Sequence, residues 1–308
     1  MKTLVVEHTA PFQGLAELVA DAEGLFAREG IQIEWVNTDE GVDRKARTEV
    51  LGPKGLDPYR SHGRLLEQGK AHLYNACEWG NYCRVQDTGV NSRQLGRRSV
   101  VTFAAIIVPP DSPVYTPEQL AYRRVGVPFY FGTHYLALHM LEGFLTRDQI
   151  LVCSVPHGSR FRFDLLMNGE IGATTMTEPY VSLAEKKGYR VVCTAFYHGT
   201  HVGTDAIDDE TLRAYNRAVS EAVRRIKANK RRYLQYFIDY HKADPEIGTL
   251  TVDDLRESRL VVCEPAPIPA EEMQRTYEWV KSWGMLETTQ SPQDLVNMEV
   301  QKRAHAAA

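Results

Sequence analysis

The amino-acid sequence predicts an α/β protein with two lobes, mixed and mostly parallel sheets, and a ligand cleft between the lobes. An apolar stretch at residues 4–6 is followed by apolar residues at helical spacing and then by the alternating stretch 31–36. This order of strand, helix and strand predicts two parallel strands. Similar strand and helix patterns alternate as far as residue 196. A chain of 308 residues is long enough for about two lobes.

The remaining elements follow from local patterns. The strongest strand pattern is SVVTFAAIIV at residues 99–108, which Pro109 and Pro110 end. Thr116 followed by Pro117 is typical of a helix start. Further strands are predicted at 72–76, 124–129, 150–155, 171–176 and 190–196, and helices at 63–69, from 132 onward, and at 163–169, 180–188, 208–241, 269–285 and 292–297.

Composition and charge exclude several classes of partner. The formal net charge is −4 without a basic block, so nucleic acid is not expected as a partner. The apolar runs are shorter than the roughly 18 residues that a membrane span needs, and no apolar leader with a basic start precedes the first strand. Five cysteines, an odd number, indicate reduced thiols. We therefore expect a cytoplasmic protein without a membrane partner, and the sequence leaves a homo-oligomer open.

Three segments resemble one group of proteins in their order and spacing. They are AELVADAEGLFAREGIQIEWV at 16–36, VYTPEQLAYRRVGVP at 114–128 and LLMNGEIGATTMTEPYVSLAEKKGYRVV at 165–192. The sequence resembles the nitrate, sulfonate and taurine type of solute-binding proteins, which have the two-lobed periplasmic-binding-protein fold of the second type. The resemblance implies a first lobe of residues 1–104 and 198–308, with a second lobe of residues 105–197 inserted into it.

One segment is most similar to an enzyme branch of this fold. It is RRVGVPFYFGTHYLALHMLEGFL at residues 123–145, which resembles the cytoplasmic dihydroxyphthalate decarboxylases. A second enzyme branch, the aryl-sulfinate desulfinase, uses a nucleophilic cysteine in the loop after the first strand. That loop is EHTAP at residues 7–11 here and includes no cysteine. The resemblance therefore implies decarboxylation rather than desulfination.

Ligands of open α/β folds bind where strand ends meet helix N-termini, because free amide groups and the helix dipole favour an anion there. Such junctions occur at residues 7–13, 77–82, 130–134 and 177–180, and a fifth loop at 157–162 adds two arginines. A guanidinium group matches both oxygens of a carboxylate. We therefore expect a small acidic organic molecule as the ligand, bound by Arg160 or Arg162. The alternative is that these arginines form a solvated helix edge.

Two histidines at predicted helix starts are candidate acid or base groups. His8 follows the first strand and His134 follows residues 124–129, which places them in opposite predicted lobes. Histidine has a pKa near neutrality and suits proton transfer, although a single histidine is more often structural. Tyr130 and Thr133 belong to the same junction as His134, so we expect them to contact the substrate.

The end of strand 72–76 places Cys77, Glu78 and Trp79 at the predicted cleft. The spacing of Cys77 and Cys83 matches no common zinc pattern, so a metal site is the least expected interpretation of this segment. No cofactor is expected either. As a nucleophile, Cys77 would need a nearby cation or helix N-terminus, and otherwise it would fill apolar space. We favour Glu78 and Trp79 as cleft residues, keep Cys77 as a candidate nucleophile and assign Cys83 to the core.

Two further polar residues are candidate ligand contacts. Glu178 precedes Pro179 at a strand end, where it would share a proton across the cleft with Glu78 or would cap the following helix. His201 lies near the expected return to the first lobe, three residues after His198. This His-x-x-His pair is predicted on a strand or loop, where its geometry is unspecified. We place Glu178 and His201 among the substrate-binding residues.

The leading functional hypothesis is a cytoplasmic decarboxylase of a small aromatic carboxylate. One of the two histidines would protonate the ring carbon, one arginine would hold a second anionic group, and Trp79 with Tyr130 would stack on the ring. The alternative is a substrate-binding protein of an ABC importer for nitrate, sulfonate, taurine or a related small anion.

Overall fold

The computed structural model describes residues 1–37, 63–88, 92–204, 207–286, 291–292 and 298–305. Its strands are β1 (Lys2–Glu7), β2 (Ile31–Val36), β3 (Leu73–Cys77), β4 (Ser92–Arg97), β5 (Val100–Val108), β6 (Arg124–Val127), β7 (Leu151–Ser154), β8 (Thr174–Thr177), β9 (Arg190–Tyr197), β10 (Gly199–Thr204) and β11 (Val261–Val262). Its helices are α1 (Pro11–Ala22), α2 (Leu25–Arg28), α3 (Arg64–Glu67), α4 (Glu78–Thr88), α5 (Gly132–Glu142), α6 (Ser159–Met167), α7 (Tyr180–Lys186), α8 (Asp209–Ala228), α9 (Lys230–Tyr240), α10 (Ala270–Ser282) and α11 (Met298–Ala304). Of the helix predicted at 292–297, residues 293–297 lie outside this description.

The first sheet has the strand order β2-β1-β3-β10-β4. β1 runs parallel to β2 and β3, as the strand–helix–strand pattern at its start predicts. β10 runs antiparallel to both β3 and β4. The helices α1 and α2 pack against α8, whose N-terminus is capped by Asp208 through a 3.0 Å hydrogen bond from the Thr211 amide.

The second sheet has the order β11-β5-β8-β6-β7, and β9 also pairs with β5. All nine residues of β5 are buried, which explains why its sequence is a continuous apolar run rather than an alternating one. β6 runs parallel to β7 and β8, whereas β5 is antiparallel to β8 and β9. The predicted α/β class with mixed sheets flanked by helices is confirmed.

The chain changes from the first sheet to the second at Arg98 and Ser99, between β4 and β5. It returns at His198, between β9 and β10. The first residues of β5, Val100 and Val101, pair with β11, and the pairing of β5 with β9 begins at Thr102. The division into lobes at 104 and 197 stays a prediction. The connections at Arg98–Ser99 and at His198 lie side by side, joined by a 3.1 Å hydrogen bond from the Arg98 amide to the Gly199 carbonyl.

The start of α6 differs from the sequence prediction and matters for the site. The helix begins at Ser159 rather than near residue 163. Gly158 precedes it with φ 112°, a conformation that favours glycine and turns the chain directly into the helix. Arg160 and Arg162 therefore lie in the first turn of a helix. None of the helices in the described ranges is long and apolar enough to cross a membrane.

Candidate functional site

A cavity of about 280 Å³ is lined by residues from both sheets. Its wall includes Gln13 after β1, Cys77 and Asn81 near the start of α4, Tyr130 and Thr133 near the start of α5, Ser159, Arg160 and Arg162 in α6, Thr177 and Glu178 at the end of β8, Tyr197 in β9, and Tyr240 and His241 at the end of α9. All five junctions identified in the sequence therefore meet at one cavity. Its volume lies near the lower end of the range for small-molecule sites.

Arg162 is a buried cation in the wall of this cavity, with only 3% of its surface exposed. Its Nε donates to the Thr175 carbonyl at 2.8 Å and its Nη2 donates to Ser159 Oγ at 3.1 Å. Among the described residues, no carboxylate pairs with it and no group accepts a hydrogen bond from its Nη1. Burial lowers the pKa of Arg162 to about 10, so the side chain is still charged at neutral pH.

Arg160 lies two residues earlier and is surrounded by carboxylates. It forms ion pairs with Asp164 at 2.7 Å and with Asp244 and Glu246 at 3.0 Å. Burial alone would lower the pKa of Arg160, but the hydrogen bond with Asp164 and the charge of Asp244 raise it instead. The Tyr180 hydroxyl donates to Asp244 at 2.8 Å. The charge of Arg160 is thus already neutralised within the protein.

Helix N-termini add partial positive charge to the cavity. The first turns of α1, α4, α5 and α6 each contribute lining residues, and the first amide groups of a helix have no acceptor within it. Gly132 and Thr133 begin α5 at the wall. A Cβ atom at Gly132 would lie 2.9 Å from the Tyr197 hydroxyl and 3.1 Å from Cys77 Cβ. Glycine thus lets the start of α5 approach these two residues closely.

The cavity is rich in aromatic side chains. They are Phe12, Tyr74, Tyr130, Phe131, Phe161, Tyr180, Tyr197 and Tyr240. Tyr130 has φ 64°, which is unusual for a residue other than glycine, and its amide donates to His134 Nδ1 at 3.0 Å. Its strained backbone is therefore held in place directly beside the cavity. Such a surface suits an apolar or aromatic ligand body.

Neither of the two histidines proposed as acid or base groups lines the cavity. The His8 ring stacks on Tyr240 at 5.4 Å and meets Trp35 edge-on at 5.7 Å, and burial lowers its pKa. His134 is buried behind Tyr130, stacks on Phe129 at 4.8 Å, and has a pKa that burial lowers to about 3. His134 is therefore neutral at physiological pH.

The three residues at the end of β3 occupy different environments. Cys77 lines the cavity, but burial raises the pKa of its thiol to about 11, and its Sγ accepts a hydrogen bond from the Gly80 amide at 3.2 Å. Glu78 is buried away from the cavity, accepts from Thr276 Oγ1 at 3.1 Å and has a pKa raised by burial. Trp79 packs among Tyr135, Tyr197 and Trp279 instead of lining the cleft. Cys83 is buried in the core, as the sequence predicts.

Glu178 and His201 both have internal partners. Glu178 accepts a hydrogen bond from the Ser182 amide near the start of α7 at 3.1 Å, which corresponds to the helix-capping alternative. Glu178 also forms an ion pair with Arg259 at 2.9 Å. His201 lies outside the cavity wall, where its Nε2 is 2.7 Å from Glu17 Oε1. In the parts of the chain that the structure describes, no cluster of three or more potential ligands for a metal ion is found.

Several residues that line the cavity were not predicted by any pattern in the sequence. Tyr240 and His241 end the amphipathic helix α9, and their position over the cavity depends on the packing of distant segments. Burial lowers the pKa of His241 to about 4. Tyr197 ends β9 directly before the return to the first sheet, and only its place next to that connection would have suggested a role.

Two mixed sheets joined by two adjacent connections, with a small-molecule cavity lined from both sheets, define the periplasmic-binding-protein fold. Solved structures of this fold superimpose on the chain over nearly its whole length. The aliphatic sulphonate binding protein SsuA of Escherichia coli has a TM-score of 0.72 at 13% identity, covering 98% of this chain and 99% of its own. The alkanesulfonate-binding protein SsuA of Xanthomonas axonopodis pv. citri, bound to MOPS, has a TM-score of 0.69 at 14% identity, covering 94% and 95%.

An enzyme has the same fold. A mutant of the desulfurization enzyme DSZB in complex with biphenyl-2-sulfinic acid superimposes with a TM-score of 0.63 at 14% identity, covering 99% of both chains. At such low identity these similarities establish the fold and leave the activity open. No family model matches the sequence, and no curated protein matches it significantly.

Proposed function

We propose that the protein binds a small organic anion, a sulfonate or carboxylate with an apolar or aromatic body, in the cavity beside Arg162. The observation on which this rests is the burial of a charged guanidinium group that has no carboxylate partner in the described chain. Burying an unpaired charge is costly, and truncated ion pairs in proteins are strongly destabilising for the same reason. A bound anion would supply the missing counter-charge.

The shape of the site supports the same ligand class. The Nη1 of Arg162 is available for an anionic oxygen, and a guanidinium group binds two oxygens of a sulfonate or carboxylate well. The N-termini of α5 and α6 also line the cavity and add amide donors. The aromatic wall would cover the ligand body. Proteins of this fold include sulfonate-binding proteins, and in that setting the protein would be the receptor of an importer.

A decarboxylase remains the second candidate, and DSZB shows that this fold also serves enzymes. Decarboxylation needs a proton donor at the ligand. His157 and His241 line the cavity, but burial holds the pKa of His241 near 4, so it is a poor acid at neutral pH. Incubation with benzoates that have hydroxyl and second carboxyl groups, followed by measurement of released CO₂, distinguishes the two candidates.

The binding proposal is tested by calorimetry with benzenesulfonate, benzoate and ethanesulfonate, and with uncharged benzenesulfonamide as the ligand control. We expect the anions to bind and the sulfonamide to bind far more weakly. Arg162→Gln should weaken anion binding by about 30-fold to 1,000-fold, as expected for truncation of a buried charge pair worth about 2–4 kcal/mol.

Arg190→Gln is the matched control for this variant. Arg190 donates to the backbone carbonyls of Pro110, Ser112 and Val114 and does not line the cavity, so its loss should leave anion affinity unchanged. A folded Arg162→Gln protein that binds benzenesulfonate as tightly as the unmodified protein contradicts the proposal. So does an unmodified protein that binds none of the three anions.

A further inference from the structure

A second buried arginine lies behind the cavity wall. Arg98 is fully buried, and its guanidinium group donates to the carbonyls of Val100 at 3.2 Å and Ala76 at 2.9 Å and to Thr102 Oγ1. Over the described part of the chain, no carboxylate forms an ion pair with it. Its hydrogen bonds are satisfied by neutral groups, so its charge is solvated by the protein but not neutralised.

The backbone leaves space for this arginine at one position. A Cβ atom at Gly199 would lie 2.1 Å from the Cζ atom of Arg98, so any larger residue there would displace the guanidinium group. Gly199 pairs with Cys77 across β10 and β3. Arg98 is thus held at the point where both connections between the sheets pass, directly behind two residues of the cavity wall.

Those two wall residues are Cys77 and Tyr197. The Cζ atom of Arg98 lies 5.6 Å from the centre of the Tyr197 ring. Burial raises the pKa of both Cys77 and Tyr197, and the charge of Arg98 acts in the opposite direction on each. Arg162 and Tyr197 line the same cavity, and Arg98 packs against the Tyr197 ring from outside the cavity lining. The two buried cations are therefore both close to this part of the cavity wall.

The nearby carboxylates do not balance these two charges. Glu178 is paired with Arg259, and Glu78, which acts on Cys77, has a pKa raised by burial. Asp164, Asp244 and Glu246 outnumber Arg160 and Lys187 in the ion-pair cluster around Arg160, but several of these side chains are about a third exposed, where water screens their charges.

We infer that the ligand preferred by this site has two negative charges, and that Arg98 determines this preference by acting on the ligand across Tyr197. The inference rests on the proposed function, since it concerns the same cavity. Arg162 would contact one charge directly. The field of Arg98 would favour a second charge near Tyr197 and Cys77, because charges interact strongly over several ångströms inside a protein. Two anionic groups on one ring, or one doubly charged phosphate group, satisfy this requirement equally.

The test compares ligands of equal size and different charge. 4-Sulfobenzoate has two charges, and 4-sulfobenzamide has the same shape with one. We expect calorimetry at low ionic strength to show the dianion binding about tenfold tighter or better, a difference that a second partly screened buried charge produces. Phenyl phosphate at pH 8 tests the doubly charged single group against benzenesulfonate. Equal or weaker affinity of both dianions relative to their matched monoanions overturns the inference.

Substitution of Arg98 gives an independent readout. Arg98→Met should remove most of the preference for 4-sulfobenzoate over 4-sulfobenzamide, while Arg98→Lys, which keeps the charge, should retain it. If Arg98 had a purely structural role, Arg98→Met would lower the affinity for both ligands by the same factor. An unchanged preference for 4-sulfobenzoate in folded Arg98→Met overturns the inference. If Arg98→Met does not fold, the salt dependence of the unmodified protein decides. The affinity for the dianion should fall more steeply with added salt than that for the monoanion, and parallel slopes contradict the inference.

The two proposals fail in distinguishable ways. Suppose that the unmodified protein binds 4-sulfobenzamide, that Arg162→Gln abolishes this binding, and that 4-sulfobenzoate binds no more tightly. The proposed function then stands, and the inference about Arg98 is wrong. Absence of binding for every anion removes the proposed function itself.

Discussion

Arg160 and Arg162 show how strongly the surroundings of a residue decide its role. Both belong to the first turn of α6, and both line the cavity. Arg160 is about one third exposed and pairs with three carboxylates, whereas Arg162 is buried and bonds only to neutral groups of the described chain. The positive charge available to a ligand is therefore that of Arg162.

The pH dependence of stability should report the burial of His134. Its pKa is about 3 in the folded protein and about 6.5 when unfolded. Between these values the unfolded chain binds a proton that the folded protein does not, so stability falls as the pH falls. For this residue alone the free energy of unfolding should decrease by about 2 kcal/mol from pH 7 to pH 5. Urea unfolding of His134→Gln at both pH values should show a correspondingly smaller decrease than the unmodified protein.

Phe129→Leu is the matched control for this measurement. It removes the ring that stacks on His134 and leaves the titrating group in place. We expect lower stability at both pH values and the same pH dependence as in the unmodified protein. If the free energy of unfolding decreases equally from pH 7 to pH 5 in His134→Gln and in the unmodified protein, His134 does not contribute to the pH dependence of stability.

At this scale the sequence predicted a role for the loop 157–162 but could not distinguish Arg160 from Arg162. The alternation of charged and aromatic residues at 160–163 is the same for both side chains. What separates them is the presence of Asp244 and Glu246, more than 80 positions away along the chain. For the same reason, no local pattern indicated that Trp79 packs against Trp279 instead of lining the cleft.

At the scale of elements, the segment 240–246 covers one side of the cavity. Tyr240 and His241 line the cavity, and Asp244 fixes the segment to α6 and α7 through Arg160 at 3.0 Å and Tyr180 at 2.8 Å. The pKa of Asp244 is lowered, because these two partners together with the Glu246 amide outweigh the effect of burial. The cluster therefore connects the C-terminal part of the chain to helices of the second sheet beside the cavity.

Asp244→Asn should accelerate ligand exchange. The change removes the charge that holds Arg160 and weakens the hydrogen bond from Tyr180, so segment 240–246 should separate from α6 more readily. We expect the dissociation rate of 4-sulfobenzoate, followed by stopped-flow protein fluorescence, to rise about tenfold, since hydrogen bonds to charged groups are worth about 1.5–3 kcal/mol each.

Asp254→Asn is the control for a general loss of ion pairs in this region. Asp254 pairs with Lys186 at 2.8 Å, also joins the C-terminal part to α7, and does not line the cavity. Its substitution should leave the dissociation rate unchanged. Equal rates for Asp244→Asn and the unmodified protein would exclude control of exchange by this cluster.

The elements that build the site were largely predictable, because each junction combines an apolar strand with a polar helix start. The junctions at 7–13, 77–82, 130–134, 157–162 and 177–180 all reach the cavity. β4 was not predicted, since SRQLGR has neither an apolar run nor an alternating pattern, and it is stabilised by pairing with β10. Segment 240–246 also lacks such a pattern. Its position depends on the contacts that Asp244 makes with distant residues, which no local sequence pattern shows.

At the scale of the whole molecule, two apolar core clusters each connect elements next to the first sheet with elements next to the second. One core cluster includes Leu4 of β1 together with Met176 of β8 and Tyr180 of α7. Another includes Tyr82 of α4 with Tyr135 of α5. Trp279, which packs against the second cluster, stacks on His139 at 4.0 Å. Domains usually move relative to each other unless their interface is large and apolar, and here the contacts in both clusters are apolar.

This packing was not predictable from the sequence. The resemblance to solute-binding proteins implied two lobes with a cleft, and the periodicity of each segment showed which residues are apolar. The periodicity did not show that the apolar face of α10 packs against α5. The two helices are more than 120 residues apart in the sequence, and the apolar face of α10 could pack against any apolar surface. The fold was predictable from local order, whereas the connection between its halves depends on pairs of distant residues such as Trp279 with Glu142, joined by a 2.6 Å hydrogen bond.

The apolar contacts of both clusters predict that the protein stays closed without ligand. Its radius of gyration in solution, measured by small-angle X-ray scattering, should be about 19 Å, the value for a compact chain of 308 residues, and should not change when 4-sulfobenzoate is added. Trp279→Ala removes the ring that joins α10 to α5 and should give a larger ligand-free radius that decreases on binding. Trp35→Phe, a change outside this contact, should behave as the unmodified protein. A radius that contracts on ligand addition in the unmodified protein contradicts the prediction and indicates hinged opening.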